Sequence, residues 1–244
     1  MSVGALFSRL RRRLEYERRC LTRPVIEIHG LRVRLGRHLS RRVEAALRDG
    51  SYEKSELRLL EAVLEPGDVV LEVGAGLGFI SAFCARRLGS ERVFTYEANP
   101  GLEGPIRETY LLNAVDPTLT MAAIGPDDGE TVFYRDKHLW SSSIVLRSPD
   151  MRPVRVAVRS LTGEVARCRP TLLIVDAEGA EREMFRAAEL PTVTRIVVEL
   201  HERVIGPAGV AQAREDLAAL GFVEDAALSR GEQLVMRRRG GLPR

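Results

Sequence analysis

The run Val69-Val70-Leu71-Glu72-Val73-Gly74-Ala75-Gly76-Leu77-Gly78 constrains the fold more than any other part of the chain. A strand-forming stretch ends in three glycines spread over five positions, and a helix-forming stretch, residues 79–88, follows at once. A strand that turns sharply into a helix opens a βαβ unit, and βαβ units build parallel sheets. In such sheets ligands sit beyond the carboxyl ends of the strands, where glycine lets the backbone turn tightly and come close to the ligand.

The remainder of the chain repeats the same alternation. Apolar runs of strand length at 69–73, 93–96, 119–124, 172–175 and 195–200 alternate with amphipathic stretches at 79–88, 102–113, 161–167, 180–188 and 209–220. Strands that are apolar on both faces, with helices between them, predict an α/β fold whose mostly parallel sheet is covered on two sides. Two final runs, 222–227 and 233–238, are separated by a short polar turn and predict an antiparallel hairpin closing the sheet. Further strands at 131–134 and 154–158 flank a long segment, 135–152, that carries His138, Trp140 and Ser141-Ser142-Ser143. Loops of that length in a compact domain are usually functional or disordered, and this one is a candidate cover for an acceptor.

Ahead of this domain lies a different kind of sequence. Residues 2–21 place leucines among arginines at helical spacing, residues 25–28 and 31–35 predict a β-hairpin, and residues 39–48 a helix. Residues 1–50 hold 13 arginines against 5 acidic residues, whereas residues 51–244 hold 24 basic against 29 acidic ones. The expected division is a basic helix and hairpin cap at 1–50 and a catalytic domain at 51–244, with a helix over 51–64 at its start. The basic helix reads first as a solvated helix packed on the rest of the protein, and its basic face also suits contact with an anionic membrane face or an acidic partner.

The spacing G-x-G-x-G is not that of the dinucleotide fingerprint, because position 79 is Phe79. Glu72, beside the turn, suits a ligand with a cationic amino-acid end better than a pyrophosphate. S-adenosylmethionine (SAM) has that form. A second element agrees: Glu97 follows Gly78 by 19 residues, at the end of the next strand, where a carboxylate can accept hydrogen bonds from both hydroxyls of a ribose. Gly74, Ala75, Gly76, Gly78, Glu97, Ala98 and Asn99 are therefore expected to surround the cofactor, with Ala123 and Ile124 flanking the adenine.

These segments, together with Asp176-Ala177-Glu178-Gly179-Ala180-Glu181, resemble the FkbM family of class I SAM-dependent methyltransferases over about residues 50–222. The resemblance implies a Rossmann-like methyltransferase sheet and O-methylation of a hydroxyl on a sugar, glycan or secondary metabolite. It also implies that Tyr52, with Glu53, closes over SAM. The chain departs from the family at Gly76, commonly Asn, and at Ile174, commonly Lys.

Methyl transfer from a sulfonium needs alignment and, for an alcohol acceptor, removal of a proton. Two strands deliver polar residues to the required edge: one leads into Asp176 and Glu178, the other into Glu199 and His201. Asp176 is the first candidate, at a position suited to contact with the cofactor as well as the acceptor, although an aspartate there also suits a helix cap. Glu199 and His201 alternate with Leu200 and share a face if the strand persists; His201 is the preferred candidate base, set against a structural histidine hydrogen-bonded at the strand end. The same four residues also have the composition of a divalent-metal site.

Other classes find less support. No motif for exocyclic amines or for cytosine C5 attack occurs, and the basic segment has only Tyr16 as an interleaved aromatic, so no nucleic-acid partner is expected. A nucleic-acid or other N-methyltransferase and a non-catalytic SAM-binding scaffold are the alternatives. Cys20, Cys84 and Cys168 have neither paired nor zinc-ligand spacing. No signal-peptide pattern or membrane-spanning run is present, so the expected setting is the cytoplasm, with peripheral contact at the inner membrane face.

Overall fold

The apolar runs pair into one seven-stranded sheet in the computed structural model, which describes residues 24–36, 39–135 and 149–240. The arginine-rich residues 2–21 and the group His138, Trp140 and Ser141-Ser142-Ser143 lie outside the described residues. In chain order the first elements are β1 (Val25–Ile28), β2 (Leu31–Arg34), α1 (Arg41–Asp49), α2 (Lys54–Val63), β3 (Val70–Val73), α3 (Phe79–Leu88), β4 (Val93–Tyr96) and α4 (Glu103–Leu112). Next come β5 (Thr118–Thr120), β6 (Ala123–Gly125), β7 (Gly129–Arg135), β8 (Arg152–Ser160), α5 (Leu161–Cys168) and β9 (Leu172–Val175). The last are α6 (Glu181–Met184), β10 (Arg195–Glu199), α7 (Glu202–Ala219), β11 (Phe222–Glu224) and β12 (Gln233–Arg238).

The sheet order is β11-β12-β10-β9-β3-β4-β5. Pairing is parallel from β10 across to β5, and β12 runs antiparallel between β10 and β11. The chain enters at β3, moves outward to β4 and β5, then returns to β9 and builds the other half. The boundary between β3 and β9 is the point where the winding reverses, the place where such sheets bind ligands.

Both faces are covered, which explains why β3 and β9 are buried at every position. On one face Leu57, Leu60, Phe79 and Phe83 pack over Val70, Leu172 and Val197. On the other, Leu161, Val165, Phe185 and Leu217 pack over Leu71, Leu173 and Ile196. The β1–β2 hairpin and α1 add Leu31, Val33 and Leu47 to the first of these cores, so residues 24–49 are built onto the sheet domain. At the amino ends of the strands, the buried Arg195 guanidinium bonds Asp68 at 2.5 Å and the Val63 carbonyl at 2.6 Å, fastening β10 to the entry of β3.

Three expectations are corrected. The run 119–124 is two strands, because the chain turns at Ala122, whose N–H donates back to Thr120 O (3.1 Å), and leaves the large sheet. β6 then pairs with β8 in a separate three-stranded sheet, β6-β8-β7. The helix expected over 180–188 shrinks to α6, followed by tight turns that end at Ala187 with φ +53°. The helix expected from 209 starts at Glu202 and kinks at Gly206, ahead of Pro207.

Candidate active site

Parallel register sets the carboxyl ends of four strands level. Val73 stands opposite Tyr96 on one side and Val175 on the other, and Val175 stands opposite Val198. The residue after each therefore falls in one row across the sheet: Glu97, Gly74, Asp176, Glu199. With neighbouring strands about 4.8 Å apart, that row spans about 14 Å. A cleft runs along it, and Phe133 of β7 brings the second sheet to its wall.

Gly74 makes the middle of the row passable. It holds φ +95°, and a Cβ there would overlap the carbonyl oxygen of Asp176. Its N–H donates to Tyr96 O (2.9 Å), which ties the turn to β4. On the β4 side Glu97 is buried, and its two oxygens accept the N–H groups of Gly76 (3.1 Å) and Asn99 (2.7 Å). Burial pushes this carboxyl up to about 7, against the pull of those donors. Glu72, also buried on the cleft wall, is pushed to about 7 chiefly by burial, against the pull of the Ser81 and Thr95 hydroxyls beside it.

The β9–β10 side is built differently. Glu178 and Gly179 take positive φ, +48° and +114°, and this turn folds Glu181 back beneath it. The fully buried Glu181 carboxylate accepts the N–H groups of Ala177 (3.2 Å) and Gly179 (2.8 Å) and faces Nδ1 of His201 at 2.8 Å. A carboxylate only accepts, so Nδ1 carries the proton and Nε2 points into the cleft-side group. Around Nε2 lie Asp176 Oδ1 at 3.3 Å, Glu199 Oε1 at 3.9 Å and Glu178 Oε1 at 4.0 Å. His201 is 4% exposed, while the Asp176 side chain is 48% exposed and reaches the open cleft. Burial opposes the charged imidazolium, yet the Glu181 bond and the Asp176 charge more than offset it and hold His201 above the usual histidine range. Asp176 is held above the usual aspartate range by burial of its carboxyl and by Glu199 and Glu178, with His201 opposing.

Of the residues expected at the site, all line the cleft except Gly78 and His201. Gly78 instead seats α3 on α4: a Cβ there would stand 2.7 Å from the Tyr110 ring and 2.9 Å from Ile106. β10 ends at Glu199, so His201 is not on the strand as expected but caps α7, and it still comes within reach of Glu199. Tyr52 is buried, with its ring edge-on to Phe79 at 5.5 Å. Sequence reasoning missed Glu56, Gln233 and the part played by Glu181. Gln233 bonds Glu56 and approaches Glu199 at 3.5 Å. Its only sequence signal is its place in the closing hairpin, opposite Glu199. Asp176, Glu199 and His201 each offer a ligand atom within 4.8 Å of the others, an arrangement able to hold a metal ion.

Residues 72–223 match the family described as Methyltransferase FkbM domain. The chain belongs to the FkbM methyltransferase family. Its members are SAM-dependent methyltransferases, and the strand order and ligand edge described above are those expected of a class I methyltransferase. Among solved structures, this FkbM chain is similar to a precorrin-6y C5,15-methyltransferase from Geobacter metallireducens (14% identity, 81% of this chain and 89% of that one, TM-score 0.47). It is also similar to an O-methyltransferase from Bacillus cereus in complex with SAH (14% identity, 80% and 86% covered, TM-score 0.44). A third is the Pyrococcus abyssi tRNA (uracil-54, C5)-methyltransferase in complex with S-adenosyl-L-homocysteine (13% identity, 88% and 42% covered, TM-score 0.49). No curated protein matches the chain. No helix among the described residues is long and apolar enough to cross a membrane.

Proposed function

We propose that this FkbM methyltransferase transfers the methyl group of SAM to a hydroxyl of a neutral sugar, glycan or secondary metabolite. The observation that carries the reading is Asp176: a half-exposed carboxylate beside the glycine turn, backed by a buried histidine. The residues present fit SAM. The Gly74 turn, at φ +95°, sets the cleft floor, Glu72 offers a buried carboxylate to an ammonium group, and Glu97 offers carboxylate lone pairs to ribose hydroxyls. Ala123 and Ile124 give an apolar wall for adenine, Ala98 and Asn99 shape the turn beside it, and Ala75 and Gly76 supply the loop. Tyr52 closes the cleft from the α2 side.

When bound, SAM supplies a methyl group on a sulfonium whose departure leaves a neutral thioether and needs no proton. The chain must then orient the acceptor and take up its hydroxyl proton. Asp176 reaches the cleft and accepts that proton, while His201 behind it, fixed by Glu181, balances the charge. Glu178 and Glu199 flank the hydroxyl. Seven carboxylates line the cleft, and no lysine or arginine does among the described residues, which disfavours phosphorylated or otherwise anionic acceptors.

The test is incubation of the purified chain with methyl-labelled SAM and a panel of neutral polyols, hydroxylated macrocycles, amines and RNA. Label appearing as a base-stable ether on a neutral acceptor supports the reading. Transfer to an amine or to RNA, or SAM binding without any transfer across the panel, overturns it.

A further inference from the structure

The geometry points to a divalent-cation site at the carboxyl ends of β9 and β10, formed by Asp176, Glu199 and Nε2 of His201 and oriented by Glu181. The inference deepens the proposed function, since it says what acidifies the acceptor hydroxyl. The ion's presence is tested separately from methyl transfer.

Two independent observations carry it. The first is convergence: the three ligand atoms lie within 4.8 Å of one another. Cis ligands held at about 2.1 Å by a six-coordinate ion stand about 3 Å apart, so the 3.3 Å and 3.9 Å separations from Nε2 close with small side-chain rotations. The second is the histidine itself. It is more than nine-tenths buried, its Nδ1 is bonded to Glu181, and its Nε2 is turned to three carboxylates, nearest Asp176 Oδ1 at 3.3 Å. A buried ring whose far nitrogen is fixed by a carboxylate is the arrangement by which proteins aim imidazole at a metal.

The surroundings suit a cation. Two glutamates beyond the triad, Glu178 and Glu56, stand near the same point, Glu178 at 4.0 Å from Nε2 and Glu56 joined to Glu199 through Gln233. Arg203 is the one guanidinium paired into the group among the described residues, at 3.5 Å from Glu178. One imidazole with two carboxylates suits manganese, which accepts both ligand types, better than calcium, which takes oxygen alone. Asp176 stays half open to the cleft, so the ion keeps positions for an acceptor oxygen. With the ion in place Asp176 would hold it through Oδ1, its other carboxylate oxygen would still take the hydroxyl proton, and the cation would make that proton easier to remove by stabilising the alkoxide.

The experiment titrates the chelator-stripped, purified chain with Mn²⁺ and follows free manganese by electron paramagnetic resonance, with SAM affinity measured on the same samples by calorimetry. One Mn²⁺ per chain is expected, with at least tenfold weaker binding in Asp176→Asn and Glu199→Gln and about tenfold in Glu181→Gln. Nitrogen coupling to the bound manganese identifies the imidazole in the unmutated chain, so the result does not depend on His201→Ala folding. Absence of saturable binding, binding without nitrogen coupling, or binding that Asp176→Asn leaves unchanged overturns the site. Loss of the metal site with SAM affinity intact sinks this inference alone, whereas absence of SAM binding sinks the functional reading.

Discussion

The two halves of the cleft hold carboxylates in opposite ways. On the β3–β4 side Glu97 is met by backbone N–H groups from the glycine turn and from Asn99, so its charge is stabilised by the chain itself. On the β9–β10 side Asp176, Glu178 and Glu199 meet chiefly one another and a single imidazole. Burial nevertheless leaves Glu97, like Glu72 beside it, titrating near 7. The second half is short of positive charge and is stabilised by whatever cation, proton or metal, sits at His201.

The comparison breaks most completely at its seam. Gly74→Ala should overlap the Asp176 carbonyl and strain a residue at φ +95°, costing on the order of 4 kcal/mol in denaturant unfolding and abolishing SAM binding. A stable Gly74→Ala chain with normal SAM affinity would show that the halves are not joined there. Asp176→Asn separates the halves: turnover should fall about 10² to 10⁴-fold, while calorimetric SAM affinity stays within a factor of about two. Equal loss of both would place Asp176 on the cofactor side. Glu97→Ala is the converse, with SAM affinity down about 10 to 100-fold through loss of charge-assisted bonds, and the melting temperature reports any added cost of the freed N–H groups.

The smallest effect is in pH. Glu72 and Glu97 titrate near 7 when folded, against 4.5 for the ordinary carboxyl. Between those values the folded chain binds more protons than the unfolded one, so stability should fall as pH rises, by about 1.4 kcal/mol per unit for each carboxyl, and level off above 7. SAM affinity should move the other way, rising about tenfold from pH 6 to pH 8, because the ionised carboxylates hold the cationic ligand. Chemical unfolding and calorimetry at matched pH check both slopes; slopes of the same sign would refute the assignment of these two groups to the donor half.

Much of this was legible in the residues because it is local. The strand, glycine turn and helix at 69–88 lie within one βαβ unit, and Glu97 follows at a spacing the sheet geometry dictates. What could not be read needs contacts between distant loops. Glu181 looked like an early helix residue that favours the helix end, yet its carboxylate turns back under Gly179 to hold His201, 20 residues on. The uniform apolar run at 119–124 concealed the change of sheets, since apolar side chains suit either sheet and only the turn at Ala122 distinguishes them. Gly78 shared a motif with Gly74 and Gly76 but is needed for helix packing, a distinction that spacing alone does not carry.

The step from β5 to β6 has a further consequence. β7 and β8 are antiparallel neighbours from Gly129–Val158 to Arg135–Arg152, so the chain between them departs and returns at adjacent points on a ribbon that belongs to neither cofactor half. Sequence inserted or exchanged at that tip would leave the seven-stranded register untouched, while the ribbon still delivers Phe133 to the cleft.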